Sequence, residues 1–245
     1  MNALEVKGLH KSFAVGLFQK DVKILTDVSF ALKEGRTTGF VGVNGSGKTT
    51  SIKCILDFVK PDKGDISFWG QKFCDLDRSQ LGYLPERPYL YEFLTAKEFL
   101  KFHWDLCFDG SKDGFENACE TVLAEVNLAH AANKKIRNFS KGMLQRTGIA
   151  QAILTGPRLI ILDEPMSGLD PDGRILVKTI LKKEKGKGTT LFFSSHLLQD
   201  MEELCDDLVI IDKGKIRFVG DMSEFKNQAQ SLEDAFRELR QGEVS

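Results

Sequence analysis

Residues 42–50 read Gly42-Val43-Asn44-Gly45-Ser46-Gly47-Lys48-Thr49-Thr50, and this stretch decides how the rest of the sequence is interpreted. It matches the pattern G-x-x-x-x-G-K-[ST], which describes a loop that wraps a polyphosphate. Glycines let consecutive backbone N–H groups point into one concavity, and a following helix directs its positive end to the same place. In such a loop Lys48 reaches the outer phosphates and the Thr49 hydroxyl holds Mg²⁺. The stretch therefore predicts a phosphate-binding loop, with a glycine-rich surface turn as the alternative.

The residues on either side of the loop favour phosphate binding. A short β-branched and aromatic segment, Thr37 to Val41, enters the loop and predicts a strand. Apolar residues recur at helical spacing after it, at Ile52, Ile55, Leu56 and Val59. The sequence thus predicts a strand, a loop and a helix in the order that a phosphate-binding loop requires.

Composition and charge exclude several classes of protein. The 245 residues are 42% hydrophobic and 28% charged, which suits one large domain or a domain with an inserted lobe. A net charge of -1 argues against a nucleic-acid binder that relies on a basic surface. The five cysteines are scattered without a C-x-x-C pair, which predicts reduced thiols in a cytosolic protein.

No membrane-targeting segment is expected from the sequence. Glu5, Lys7 and His10 interrupt the apolar residues near the N-terminus, so no signal peptide is predicted. No stretch approaches the ~20 apolar residues that a membrane span needs. Any work at a membrane is therefore expected to depend on a partner.

Strand and helix patterns alternate along most of the chain. Residues 3–13 alternate apolar and polar side chains and predict an edge strand. Leu159 to Leu162 is a continuous apolar run of the kind that a buried parallel strand shows. The other predicted elements are strands at 22–32, 65–70 and 189–195, helices at 173–185 and 197–205, a hairpin over 208–219, and a last helix capped by Ser231.

Helical patterns replace this alternation from Arg87 to about Gln151. Thr95-Ala96-Lys97-Glu98 is a capping box, which marks the start of a helix. An amphipathic pattern follows over 117–128, and a third begins near Met143. The sequence therefore predicts a helical block inserted into the strand-helix alternation.

An acidic pair, Asp163-Glu164, follows the buried strand at 159–162. Open α/β sheets place their ligands at the carboxyl ends of such strands. Asp163 would hold Mg²⁺ through water, and Glu164 could orient and deprotonate an attacking water. A solvated turn is the alternative, and the phosphate-binding loop favours the metal-and-base interpretation.

Ser140 lies at the start of the third helix of the inserted block and is a good N-cap. Ser140 with Gly142 could also form an anion site at the same helix start, open to a phosphate brought from elsewhere. The spacing by itself supports both interpretations.

The order of these motifs resembles that of the nucleotide-binding subunits of ABC transporters, over nearly the whole chain. Residues 42–49 look like the Walker A motif, and 159–164 like Walker B with its catalytic glutamate. Ser167-Gly168-Leu169-Asp170 matches the D-loop, and His196 matches the switch histidine. The segment 139–143 lies where the family's signature motif belongs.

The resemblance implies an α/β fold of the P-loop NTPase type. Its RecA-like parallel-sheet core would carry an antiparallel β edge and an inserted α-helical subdomain. The implied boundaries in the ABC ATP-binding domain 1–245 are a core at 1–86 and 152–220, a helical subdomain at 87–151, and a C-terminal helical tail at 221–245.

The resemblance also implies the site residues and the cofactors, ATP and Mg²⁺. Phe13 is placed like the aromatic residue that stacks on adenine. The implied ATP-binding residues are Phe13, Gly42, Val43, Asn44, Gly45, Ser46, Gly47, Lys48, Thr49, Thr50, Ser140, Lys141, Gly142 and Asp170. The implied Mg²⁺ ligands are Thr49, Glu86 and Asp163, and the implied catalytic residues are Glu164 and His196.

In this family two cassettes face each other head to tail, as a homodimer or with a similar cassette. Ser140 and Gly142 would contact the γ-phosphate of ATP that is bound to the partner copy. Closure on ATP binding and release on hydrolysis would move a separate membrane permease. The resemblance places the protein in the cytoplasm, peripheral on the inner face of the cell membrane, with no nucleic acid expected.

Four positions depart from the family pattern. Lys141 and Met143 replace a Gly and the Gln of the common L-S-G-G-Q signature. Glu86 replaces the usual Gln of the Q-loop, and Phe13 stands where Tyr is frequent. These signature and Q-loop variants resemble bacterial export cassettes that pair with ABC-2-type permeases.

The segment Arg87-Pro88-Tyr89-Leu90-Tyr91 follows the Q-loop, where the family docks the permease. It fits a contact site and the hinge packing of the helical lobe equally well.

The expected function is ATP hydrolysis coupled to export. The alternative is a soluble ABC-type ATPase acting on DNA or ribosomes, and a P-loop small-molecule kinase is disfavoured because Glu164 and His196 suit water activation.

Overall fold

The computed structural model describes residues 1–14, 21–110, 113–226 and 232–241. Its backbone divides into two compact units. The first unit consists of Met1–Leu76 together with the chain from Phe192 onward, and the second of Asp77–Leu191. The chain therefore leaves the first unit once and returns to it.

Strands and helices alternate in chain order. The elements are β1 (Asn2–Phe13), β2 (Val22–Lys33), β3 (Thr37–Val41), α1 (Lys48–Ile55), β4 (Lys63–Phe68), β5 (Leu81–Leu84), α2 (Ala96–Cys107), α3 (Phe115–Glu125), α4 (Lys141–Ile153), β6 (Leu159–Leu162), α5 (Pro171–Gly186), β7 (Thr190–Ser195), α6 (Leu198–Leu204), β8 (Asp207–Asp212), β9 (Lys215–Asp221), α7 (Met222–Lys226) and α8 (Leu232–Gln241).

An antiparallel sheet in the first unit has the strand order β2-β1-β4. Val6 of β1 pairs with Phe30 of β2 on one side and with Ile66 of β4 on the other. The prediction that residues 3–13 form an edge strand is therefore wrong, because β1 is the central strand. An alternating pattern shows that a strand has one buried face, but it does not show how many neighbours the strand has.

A second set of strands has the order β7-β3-β8-β9, and β7 belongs to the first unit from Phe192 onward. β3 pairs in parallel with β8, and β8 pairs antiparallel with β9. Phe30, Phe40 and Phe192 form an aromatic cluster, with ring centroids 5.2–5.7 Å apart. These rings have at most 5% of their surface exposed and form the centre of this unit's hydrophobic core.

The second unit contains the parallel pair β5-β6 and the helices α2, α3 and α4, which pack on one another. The predicted capping box is confirmed: Glu98 N donates to the Thr95 hydroxyl at 3.1 Å, and Thr95 N donates to the Glu98 carboxylate at 2.7 Å. Trp104 packs on Phe108 and Phe115 inside this helical region. The assignment of residues 87–151 to a separate subdomain stays a prediction.

The other predicted helices agree with the structure to within a few residues. The helix predicted over 117–128 is α3, and the one predicted over 173–185 is α5. Ser231, the predicted cap of the last helix, lies outside the described residues. Within the part of the chain that the structure describes, no helix is both long enough and apolar enough to cross a membrane.

Candidate functional site

The glycine-rich loop lies between the carboxyl end of β3 and the start of α1, both in the first unit. β3 is buried along its whole length, so its end is held rigidly. Gly47 takes the N-cap position of α1 with a φ of 110°, in the left-handed region that glycine adopts without strain. The sequence therefore forms the predicted strand, loop and helix, with the helix N-terminus at the loop.

Gly42 begins the loop where the backbone passes very close to other groups. A Cβ at this position would lie only 2.5 Å from the carbonyl oxygen of Ile211, which belongs to β8. The neighbouring strand thus leaves no space for a side chain at Gly42. Gly214 N, in the turn after β8, also donates to Ser46 O at 2.9 Å. The loop is therefore shaped by β8 and the turn that follows it.

Lys48 folds back onto the loop that precedes it. Its ammonium donates to Gly42 O at 2.7 Å and to Val43 O at 3.4 Å, and the residue is only 6% exposed. A buried ammonium needs hydrogen-bond acceptors, and anionic phosphate oxygens are stronger acceptors than peptide carbonyls. The geometry therefore places a cation at the loop, in contact with its carbonyls.

Ser46 provides a second polar group at the loop. The residue is 2% exposed, and its hydroxyl has no hydrogen-bond partner among the described residues. A buried hydroxyl without a partner is unfavourable by about 1–3 kcal/mol. A phosphate oxygen would relieve this deficit, so the residues present fit the predicted anion.

Phe13 and His196 are the other predicted site residues of the first unit. Phe13 ends β1 and keeps 43% of its surface exposed. His196 directly follows β7 and is exposed. Leu197 N donates to the Ser195 hydroxyl at 3.0 Å, which fixes the turn that carries His196.

Asp163 and Glu164 lie at the carboxyl end of β6 in the second unit. Asp163 is 1% exposed, and its backbone N–H donates to Leu84 O at 2.8 Å, which extends the pairing of β6 with β5. Burial raises the pKa of the neighbouring Tyr83 hydroxyl to about 12, and the negative charge of Asp163 contributes to the increase. Glu164 is half-buried and has a φ of 50°, in the left-handed region.

Glu86 lies beyond the end of β5 and is exposed. Together with Asp163 it provides carboxylate oxygens in the second unit, and Thr49 provides a half-buried hydroxyl in the first. Hard oxygen ligands of this kind suit Mg²⁺, which is usually bound by one or two carboxylates together with substrate phosphates. The chemistry of the predicted ligands therefore fits the metal.

The structure brings Ser140, Lys141, Gly142 and Asp170 together around a cavity of about 490 Å³ in the second unit. Ser140 is the N-cap of α4, and its hydroxyl accepts from Met143 N at 3.3 Å. Asp170 is the N-cap of α5, and its carboxylate accepts from Gly173 N at 2.8 Å. Ser140 thus acts as a helix cap, and its position in the cavity is compatible with anion binding as well.

Gln145 is a polar residue of this unit that lies outside the sequence motifs. It lies on α4, is 5% exposed, and donates to Pro165 O at 2.9 Å. The bond ties the helix that begins at Ser140 to the segment that follows Glu164. The only signal for Gln145 in the sequence is that it is polar, whereas most residues of this helix are small or apolar. This signal does not identify the hydrogen-bond acceptor.

Comparison with known proteins identifies the family. The ABC transporter family matches residues 25–167, which is more than half of the chain. An uncharacterized ABC transporter ATP-binding protein of Synechocystis sp. is 38% identical over 236 residues, covering 95% of this chain and 66% of that protein. The bacitracin transport ATP-binding protein BcrA of Bacillus licheniformis is 38% identical, covering 79% of this chain and 63% of that protein.

A solved structure, described as the ATP binding subunit of an ABC transporter, has the same fold. The TM-score is 0.85 at 33% sequence identity, and the match covers 97% of this chain and 99% of the other. Compared with the two curated relatives, the chain spans 66% and 63% of their length. The fold and the family match agree with the order of the sequence motifs. The chain belongs to the ABC transporter family and has the α/β fold of its ATP-binding cassettes.

Proposed function

We propose that this chain binds and hydrolyses ATP with Mg²⁺, and that hydrolysis drives export through a separate ABC-2-type membrane permease. The observation that carries the proposal is the loop at residues 42–48, which holds the buried Lys48 ammonium and the buried Ser46 hydroxyl. The fit of these groups to a phosphate supports nucleotide binding. The family membership supports ATP as the nucleotide.

In the proposed site the triphosphate lies along the loop over residues 42–50. Backbone N–H groups and the N-terminus of α1 stabilise its negative charge. Lys48 exchanges its carbonyl contacts for phosphate oxygens, and Phe13 stacks on the adenine. Thr49, Asp163 and Glu86 are the residues that would hold Mg²⁺, and the ion would supply neutralisation of the phosphate charge.

Glu164 is the proposed general base. It accepts a proton from water as the water oxygen attacks the γ-phosphorus, and the bond from that phosphorus to the bridging oxygen breaks to release ADP. His196 contacts the γ-phosphate and positions the water.

The cavity around Ser140, Gly142 and Asp170 is the proposed contact with a second copy of the chain or with a similar cassette. The N-terminus of α4 and the Ser140 hydroxyl suit a phosphate from that copy. Lys141 lines this cavity, and its ammonium lies next to Gly168. The altered signature therefore adds a positive charge to this cavity.

Coupling to a permease is supported by an exposed aromatic surface after the Q-loop. Tyr89 is 90% exposed and Phe93 is 69% exposed, and Tyr91 contacts the rings of Phe93 and Phe102. Exposed aromatic groups of this kind mark contact sites. The name of BcrA connects a relative with bacitracin transport, which favours a role in transport over the alternative of an ATPase acting on DNA or ribosomes.

The function is tested by separating ATP binding from hydrolysis in two variants. Glu164→Gln keeps the shape of the side chain but removes the base, so we expect ATP to bind normally and turnover to fall by about 10²–10⁴-fold. Lys48→Ala removes the cation at the loop, so we expect the Kd for ATP to rise at least about tenfold. Calorimetry measures the Kd for ATP, and the rate of phosphate release measures turnover.

A matched control is Lys53→Ala, which removes an exposed lysine from the same helix. Its affinity and turnover are expected to equal those of the wild type. On size exclusion with ATP, Glu164→Gln is expected to accumulate a dimer. Normal turnover in Glu164→Gln would refute the base assignment, and an unchanged Kd in Lys48→Ala would refute the phosphate site.

A further inference from the structure

Lys11 is anchored near the end of β1 by groups from the turn before β4. Its ammonium donates to Lys60 O at 2.9 Å and to the Asp62 carboxylate at 3.0 Å. Only 15% of its side chain is exposed, whereas Lys7 on the same strand has a side chain that is 66% exposed. Lys11 is therefore held in one position, while Lys7 extends into solvent.

Asp62 fixes both the backbone and the side chain of this strand end. Its backbone N–H donates to His10 O at 2.8 Å, and its carboxylate accepts from Ser12 N at 2.6 Å. The hydrogen bond from Lys11, followed by the one from Ser12 N, lowers the pKa of the Asp62 carboxyl. Residues 10–12 are thus tied to one carboxylate immediately before Phe13.

The anchored ammonium of Lys11 lies over the ring of Phe13, 5.2 Å from its centroid. A cation within about 6 Å of an aromatic centroid is attracted to the ring. Phe13 nevertheless keeps 43% of its surface exposed, so part of the ring remains open to a ligand. The contacts from Asp62 to Lys11 and from Lys11 to Phe13 therefore hold an anchored cation against the ring.

We propose that Lys11, anchored by Asp62, is a positioning residue for the purine base, because it holds the Phe13 ring in the orientation that stacks on adenine. The inference rests on the proposed function, in which Phe13 contacts the base. Ordering a side chain on binding reduces affinity, and a ring that is already ordered avoids this loss. The effect reaches the base through Phe13 and does not involve the phosphate loop.

The test compares ligands with and without a base. Lys11→Met keeps much of the length of the side chain but removes its charge and hydrogen bonds. We expect its Kd for ATP to rise about three- to tenfold and its Kd for inorganic tripolyphosphate to stay unchanged. Lys11→Arg retains a cation and is expected to bind ATP within about twofold of the wild type. Calorimetry measures each Kd.

A double-mutant cycle isolates the route through the ring. In the Phe13→Ala background, Lys11→Met is expected to have no further effect on ATP binding, because the ring that it positions is absent. Asp62→Asn keeps the Lys11 side chain but weakens the hydrogen bond that anchors it. This variant is also expected to raise the Kd for ATP. Lys7→Met, on the same strand, is the control and is expected to bind like the wild type.

Three results would overturn the inference. The first is an unchanged Kd for ATP in Lys11→Met, and the second is an equal rise of the Kd values for ATP and tripolyphosphate. The third is that Lys11→Met raises the Kd for ATP as much in the Phe13→Ala background as in the wild type. Asp62→Asn provides the same comparison if Lys11→Met fails to fold. A wild-type chain that binds neither ATP nor tripolyphosphate would refute the proposed function itself. Binding of both ligands with no effect of Lys11 would refute only the positioning role.

Discussion

Single residues set the electrostatics of the first unit, and Arg36 shows how. Its guanidinium donates to the Asp207 carboxylate at 2.8 Å and to the Asp221 carboxylate at 2.8 Å. The hydrogen bond with Asp207 is the largest cause of the raised pKa of Arg36. Hydrogen bonds from Ser223, and then from Arg36, lower the pKa of Asp221 from 3.8 to about 2. The folded state therefore favours the ionised form of Asp221.

This lowered pKa predicts a pH dependence of stability. A carboxyl group with a lowered pKa in the folded state stabilises the protein above its unfolded pKa, and this stabilisation is lost as the pH falls toward the folded pKa. We expect Asp221→Asn to lower the free energy of unfolding near neutral pH. We expect the difference from the wild type to shrink as the pH falls from 3.8 toward about 2.

Urea denaturation at a series of pH values measures this difference. Asp65→Asn removes an exposed carboxylate from β4 of the same unit and serves as the control. A difference between Asp221→Asn and the wild type that stays constant down to pH 2 would contradict the assignment.

At the scale of elements, the packing of α4 on β5 depends on a glycine inside a helix. A Cβ at Gly148 would lie 2.6 Å from Leu84 Cδ1 and 3.0 Å from Pro88 Cγ. Helical periodicity predicted α4, but it did not show which residue faces β5. The close approach of the two elements explains why a residue of poor helix propensity occupies this position.

We expect Gly148→Ala to lower the free energy of unfolding by about 1–3 kcal/mol, because overpacking outweighs the gain in helix propensity. Gly186→Ala is the matched control on α5, since a Cβ there meets nothing within 4 Å. This control is expected to be neutral or to stabilise the protein by up to about 1 kcal/mol. Chemical denaturation measures the free energy of unfolding of both variants. Equal values for Gly148→Ala and Gly186→Ala would show that Gly148 has room for a methyl group.

At the scale of the whole molecule, the proposed work at a membrane requires a partner. The exposed aromatic surface of Tyr89, Tyr91 and Phe93 is the proposed contact with the permease. We expect the purified chain to bind saturably to inside-out membrane vesicles of its native host, which present the cytoplasmic face. Combined Tyr89→Ser and Phe93→Ser replacement is expected to weaken this binding about tenfold or more, because aromatic anchors carry much of the energy of an interface.

Phe58→Ser is the control for this experiment, because Phe58 is also 63% exposed but lies in the first unit. Sedimentation of the vesicles measures the bound fraction. Equal binding of the aromatic variant and the control would contradict the proposed contact. Sedimentation with ribosomes in place of membranes would support the alternative function.

The sequence by itself determined the strand, loop and helix around residues 42–50, the acidic strand end and the family. Each of these motifs is a short contiguous pattern in which local chemistry restricts the residue type, as at Gly47 and Lys48. Their order along the chain was enough to predict the α/β cassette fold, which the comparisons confirmed. The roles assigned to Glu164, His196 and the other site residues stay predictions.

Only the tertiary structure decided the contacts between distant parts of the chain. It placed β1 at the centre of its sheet, joined Gln145 to Pro165, and brought Asp62 to Lys11 beside Phe13. It also showed the left-handed backbone of Glu164. Local patterns indicate which side of an element is buried, but they do not name the group that covers it. The covering group is set by long-range packing, and that packing depends on all elements at once.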